Sequence, residues 1–220
     1  MPRDAVLVIE TSTPVASIAL IGADGTIDSR TFQSDRSHNA ALFGPLRELL
    51  AGRTVGLVLV GSGPGSYSGT RVGIAAAQGV AIAMDCPAVA VPSILAVPSA
   101  ENGNACLAIG DARRGTFWTA AVENQRLAEP PTLCDADMLR NEVARACSSG
   151  MKVFSFEDPA RFHPEGGAIA LEYPDAAGLW RAWLAADEST RSAWLAAPPQ
   201  PLYLKPPHIT KGKRASLLAD

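Results

Sequence analysis

The strongest chemical signature in the chain is Gly61-Ser62-Gly63-Pro64-Gly65-Ser66-Tyr67-Ser68-Gly69-Thr70-Arg71. The apolar run Val55 to Val60 precedes it, and a small, apolar segment from Val72 to Met84 follows. That order predicts a buried strand, a glycine loop and a helix. Glycines permit a tight turn and close backbone approach. The first turn of a helix has free N–H groups that suit an anion. On that reading Thr11, Ser12, Gly63, Gly65, Ser66 and Gly69 are the candidate nucleotide- or anion-binding residues. The other reading is a strained turn that lets the helix pack close to the sheet. The loop is not a P-loop, because no Lys follows its last glycine. Counted from Gly61, the third glycine of a dinucleotide fingerprint is replaced by Ser66. Arg71 either holds an anion or bridges to a carboxylate of the same lobe.

Other polar groups offer less. Glu10-Thr11-Ser12-Thr13 ends the first apolar run and reads as a capped turn. His38 stands before a leucine-rich helix, as a helix-cap or interface residue. The position four after it is Leu42, so one helix face cannot present a histidine pair. The chain has 3 histidines, His163 and His208 lie in proline-containing loops, and no HExxH occurs. No metal site and no catalytic residue are expected. Asp111, Arg113 and Arg114 are either a charged cluster at a cleft or partner surface, or solvated charges on a hairpin. Lys211, Lys213 and Arg214 form a basic tail, which either touches nucleic-acid phosphates or is solvated. Trp180, Trp183 and Trp194 have helical spacing and read as core.

The elements that must position these groups are legible in outline. Ala5 to Ile9, Val15 to Ile21 and Thr26 to Phe32 read as an antiparallel meander. A helix spans roughly Asn39 to Ala51, with Pro45 expected to kink it. The strand Val55–Val60, the helix Thr70–Met84, the strand Ala88–Val91 and a short helix from Ser93 to Ser99 follow. Glu101-Asn102-Gly103-Asn104 is the best boundary, giving lobes 1–101 and 102–220, with the tail packing back on the first lobe. In the second half, strands at Cys106–Ile109, Thr116–Val122, Val153–Phe156 and Ala168–Leu171 alternate with helices at 135–147, 176–186 and 189–197.

At 220 residues, 47% of them apolar, the chain can bury a sizeable core. A net charge of −3 gives no general attraction to nucleic acid or acidic membranes. The 4 cysteines show no CxxC spacing and read as buried thiols in a reducing cytoplasm. No leader peptide and no membrane span are expected from the apolar runs.

The helix after the glycine loop is apolar nearly all round and must be covered on every side. A sheet covers only one side. The leucine-rich helix or another protein must cover the rest, and Gly73, Ala76, Ala77 and Gly79 would admit a close partner helix.

The βββαβαβα order of the first half matches a lobe of the actin, Hsp70 and sugar kinase fold. The fold class expected is α/β, of the actin-like ATPase (ASKHA, ribonuclease H-like) type, with a reduced second lobe. Val8-Ile9-Glu10-Thr11-Ser12-Thr13, Gly63 to Arg71, His38, Asp111-Ala112-Arg113-Arg114 and Pro201-Leu202-Tyr203-Leu204-Lys205 together resemble the TsaB (YeaZ) family, related to TsaD and Kae1. Glu10 stands where an Asp is common in that family.

This resemblance implies a non-catalytic scaffold subunit that binds and activates TsaD for N6-threonylcarbamoylation of adenosine 37 in tRNA. It implies TsaE as a further partner, a homodimer in the absence of TsaD, and tRNA contact only through the complex. No cofactor of its own is expected; ATP or ADP belongs to the partner interface. The interface residues it implies are His38, Leu42, Leu46, Arg71, Gly73, Ile74, Ala76, Ala77 and Val80. The rival readings are a small-molecule kinase or nucleotide-binding protein of the same fold and, behind it, a metalloprotease.

Overall fold

The computed structural model describes residues 4–33, 38–162 and 168–204. In the first sheet, β1 (Ala5–Glu10), β2 (Val15–Ile21) and β3 (Ile27–Gln33) form the antiparallel meander. The chain then returns through α1 (His38–Leu50) to β4 (Val55–Gly61), parallel to β1, and through α2 (Tyr67–Met84) to β5 (Ala88–Val91), parallel to β4. The sheet order is β3-β2-β1-β4-β5.

The second sheet holds β6 (Cys106–Asp111), β7 (Phe117–Glu123), β8 (Arg126–Leu127), β9 (Thr132–Cys134), β10 (Lys152–Ser155) and β11 (Ile169–Leu171). β6 takes the place of β1: it pairs antiparallel with β7 on one side and parallel with β10 on the other, and β11 follows β10. β8 and β9 both pair with β7. The helices of this half are α3 (Ala136–Ser148), α4 (Ala176–Ala185) and α5 (Glu188–Ala196). This two-lobed α/β arrangement is the actin-like ATPase fold. The second lobe is the smaller copy, its two outer parallel strands being 4 and 3 residues long.

Strand alternation decides which face meets which layer. Leu7 and Ile9 of β1, with Val58 and Val60 of β4, form a core with α1 and α2. Val6, Val8, Leu57 and Leu59 point the other way, into a core shared with the second sheet. Both faces of these central strands are buried, so their sequences are apolar throughout rather than alternating.

Three elements depart from the sequence expectation. The helix from Ser93 to Ser99 is two 3-10 turns, Ser93–Leu95 and Pro98–Gly103. Pro98 has no N–H to give and crowds the carbonyl four residues back, which disfavours a continuous α-helix there. α1 runs unbroken through Pro45. α2 begins at Tyr67, before the expected Thr70, because Ser66 caps it: its side chain accepts from the Gly69 N–H.

With no α-helix at 93–99, α4 crosses from the second half to cover the open face of the first sheet. The Ala176 N–H donates to Ser17 Oγ at 2.8 Å, and the Asp175 N–H donates to the Ala96 carbonyl at 3.3 Å. Trp180 and Trp183 of α4 are buried in the shared core, and the Trp194 ring of α5 stacks on Trp183 at 6.3 Å. Among the described residues, no helix is long and apolar enough to cross a membrane.

Gly178 sets how closely α4 approaches. A Cβ there would lie 2.3 Å from the Ala96 carbonyl oxygen, a backbone atom that cannot swing aside. Glycine to alanine within a helix ordinarily stabilises by about 0.5–1 kcal/mol. Here overpacking, typically about 1–3 kcal/mol, wins. Gly178→Ala is expected to lower the midpoint of thermal unfolding by several degrees in a calorimetric scan.

Candidate functional site

The glycine loop and the first hairpin close on one another around Glu10. Its carboxylate is fully buried at the end of β1. One oxygen accepts from the Ser12 N–H at 2.6 Å, the other from Ser93 Oγ at 2.7 Å. Ser93 Oγ also accepts from the Gly63 N–H at 3.0 Å. The Ser66 N–H reaches back to the Ser12 carbonyl at 2.6 Å. The turns after β1, β4 and β5 are thereby tied into one network. Gly61 must lack a side chain, since a Cβ would sit 2.0 Å from Glu10 Oε2. Gly63 has φ +84°, a left-handed backbone that suits glycine.

This network uses much of what an anion would need. Thr11 is buried and its hydroxyl donates to the Gly69 carbonyl at 2.8 Å. Ser12 and Gly63 spend their N–H groups on Glu10 and Ser93, and Ser66 Oγ accepts from the Gly69 N–H at 3.2 Å. Of the six candidate anion-binding residues, Ser12, Gly65 and Ser66 line a cleft of about 620 Å³ between the two sheets. Thr11, Gly63 and Gly69 do not line it. Glu10 faces the network and not the cleft.

The opposite wall of the cleft comes from the second sheet. Asp111 donates its N–H to Glu157 Oε2 at 2.9 Å. Arg113 bridges Asp111 at 3.3 Å and Glu157 at 4.0 Å. It stands in the left-handed region with Arg114 and Gly115, which makes the tight hairpin. Both sequence readings of the Asp111-to-Arg114 segment meet here: Asp111 and Arg113 line the cleft, while Arg114 lies exposed on the hairpin. Glu157 and Arg161 also line the cleft; neither carries a local sequence signal that would have singled it out.

The second feature is the outer face of α2. Gly73, Ile74, Ala76 and Ala77, expected at a partner interface, are buried, as are Leu42 and Leu46 of α1. Gly73 is small because β1 needs the room: a Cβ would lie 2.2 Å from Thr11 Oγ1. Val80 is half-buried and Arg71 is exposed. The surface of α2 is carried instead by Tyr67, Ser68, Arg71, Ala75, Gln78, Gly79, Ile82 and Ala83, which from Arg71 onward form one stripe at helical spacing. Ile82 is 83% exposed, and Phe43 of the neighbouring α1 is 52% exposed. Around Gly79 a Cβ would meet nothing within 4 Å. His38 opens α1, but its side chain lies outside the described residues, as do His163, His208 and the basic residues Lys211, Lys213 and Arg214. Among the described residues, no three His, Cys, Asp or Glu side chains gather where they could hold a metal ion.

Comparison with known proteins bears on both features. A family model described as TsaD, tRNA N6-adenosine threonylcarbamoyltransferase, matches residues 34–135. The tRNA threonylcarbamoyladenosine biosynthesis protein TsaB of Escherichia coli K12 is 31% identical over 54% of this chain and 54% of its own length. The Bacillus subtilis protein of the same name is 31% identical over 54% of this chain and 55% of its own. YeaZ from Pseudomonas aeruginosa superposes with a TM-score of 0.69 at 23% identity, covering 91% of this chain and all of that one.

Over the matched segment the chain is similar to the TsaB proteins. Its match spans about half the length of the curated TsaB relatives. The residues matched by the TsaD family model include α1, the glycine loop, α2 and the Asp111-to-Arg114 hairpin. The superposition with YeaZ extends the shared fold over nearly the whole chain.

Glu10 also couples the network to pH. Burial raises its carboxyl above the ordinary value of 4.5, against the opposing effect of the Ser12 and Ser93 hydrogen bonds. The folded chain therefore binds a proton more tightly here than the unfolded chain does. That contribution to stability is fully present below 4.5 and is lost as pH rises through the raised folded value. Glu10→Gln can accept from the Ser12 N–H and donate to Ser93 Oγ without ionising. In urea titrations it is expected to match the parent at about pH 4 and to exceed it at about pH 8. Glu10→Ala, which orphans both donors, is expected to lose about 2–4 kcal/mol at either pH.

Proposed function

We propose that this chain is a non-catalytic subunit that pairs with a TsaD-type threonylcarbamoyltransferase and supports its action on adenosine 37 of tRNA. The observation that carries this reading is the outer stripe of α2. Apart from Arg71 and Gln78 its residues are small or apolar, and its Ile82 side chain stands almost fully in solvent. Such a face on a folded chain is the mark of a protein–protein contact. The TsaD family model matches the stretch of this chain that contains α1 and α2. A TsaD-type subunit then carries a like pair of helices, and like faces can pair about a pseudo-two-fold axis. Without that partner the same stripe pairs two copies of this chain. TsaE joins the pair, tRNA is met through the complex, and ATP or ADP belongs at the subunit interface.

A second reading, a nucleotide-binding protein of the same fold, is favoured by the cleft of about 620 Å³, a size that suits a nucleotide-sized ligand. Calorimetry of the isolated chain with ATP and magnesium separates the two. Micromolar binding favours the second reading, and no heat favours the first.

The pairing is tested by size-exclusion chromatography of the full chain mixed with a TsaD-type paralogue from the same cell. One complex peak is expected, and separate elution of the two proteins sinks the reading. Gly79→Leu gains helix propensity at a position where a Cβ meets nothing within 4 Å, while Ile82→Glu adds a charge at an exposed position. Both variants are expected to unfold at or above the parent temperature within about 0.5 kcal/mol. Both are expected to weaken association by at least about tenfold, read by calorimetry.

A further inference from the structure

The last described residues lie against α2 and take no part in the loop network around Glu10. The Leu202 N–H donates to the Ser62 carbonyl at 2.8 Å, which pins the C-terminal segment to the start of the glycine loop. Upstream, Gln78 of α2 donates to the Pro199 carbonyl at 3.4 Å, so the segment runs alongside the exposed stripe. Downstream, the Tyr203 ring meets the Tyr67 ring with centroids 6.1 Å apart. Arg71 lies over the other side of this pair: its guanidinium is 5.0 Å from the Tyr67 centroid and bonds the Tyr67 hydroxyl. No carboxylate among the described residues pairs with Arg71.

These three side chains are held in place yet stay open. Tyr67 is 60% and Tyr203 50% exposed, and Arg71 is exposed between Tyr67 and Ala75 at the head of the stripe. Tyr and Arg dominate the residues that carry binding energy in protein interfaces, because they bring large area and a polar handle at little loss of rotamer freedom. The tilted ring contact between Tyr67 and Tyr203 has already removed part of that freedom here. A purely structural strap would bury its ring. This one presents its ring beside a cation that no carboxylate among the described residues pairs.

We propose that Tyr203, with Tyr67 and Arg71, forms one contact spot for the TsaD-type subunit, so that the C-terminal segment is part of the partner surface. The inference rests on the pairing proposed above and names its end point. The stripe supplies close helix packing, and the aromatic pair takes an apolar side chain of the partner. Arg71 takes a carboxylate beside it.

The test uses the full chain and the TsaD-type subunit, with affinity measured by calorimetry. Tyr203→Ala is expected to weaken binding by about tenfold or more, while Tyr203→Phe, which keeps the ring, binds as the parent does. Thermal unfolding of the isolated Tyr203→Ala chain is expected to match the parent, which excludes loss of folding as the cause. If Tyr203→Ala binds normally while Ile82→Glu does not, the inference is overturned and the pairing stands. If neither variant affects binding, both fall. If Tyr203→Ala weakens only self-association of the chain, the occupant is a second copy, and the assignment to the TsaD-type subunit is overturned.

Discussion

One buried carboxylate organises the working end of this molecule. Glu10 lies at the end of the central strand of the first sheet, out of reach of solvent, where an unpaired charge would cost several kcal/mol. It is met by a backbone N–H from its own turn and by a serine hydroxyl from the turn after β5. That serine in turn holds the glycine loop through the Gly63 N–H. Three turns distant in sequence are closed by one group. The glycines follow from this: Gly61 because the carboxylate fills the space of its Cβ, and Gly65 because its Cβ would lie 2.2 Å from the Ser12 carbonyl oxygen. A glycine-rich loop that opens a helix is often a cradle for phosphate. In this chain most of its donors are turned inward and used to lock the loop.

The locked loop fixes where α2 begins, and so which side of α2 faces out. Two glycines of that helix show the division of labour. Gly73 lets the helix sit against Thr11 of the first turn, and Gly79 faces open space. Between them the helix gives one half of its surface to the core with α1 and exposes on the other a mostly small and apolar stripe that includes Arg71 and Gln78. A helix apolar on all sides is thus not wholly buried in its own chain.

The two lobes are not independent. The second sheet has its own small core with α3, but its other face shares one core with the first sheet, and α4 belongs by packing to the first sheet although it lies in the second half of the chain. The C-terminal segment after α5 then returns across α2 to the loop network. The chain closes on itself at the place where the cleft, the loops and the exposed helical stripe meet.

Much of this was written in the sequence. Unbroken apolar runs at β1 and β4 announced central strands buried on both faces, and Asn-Gly and Pro-rich punctuation marked the turns. The glycine signature and the weaker motifs along the chain carried the family resemblance, and the all-round apolar α2 pointed to a covering partner. These are local signals, set by backbone sterics and by the periodicity of burial, and they survive without knowledge of the partner layers. What covers each face is not local. The all-round apolar sequence of α2 did not say which side its own chain covers; only the packing of α2 on β1 and β4 decided that Gly73, Ile74, Ala76 and Ala77 turn inward while Ala75, Gly79 and Ile82 turn outward. Only the packing of α4 showed that a distant helix fills the place left by Pro98. Glu10 read as a turn residue until three turns were seen to converge on it, because a buried charge is identified by what surrounds it and not by its neighbours in the chain.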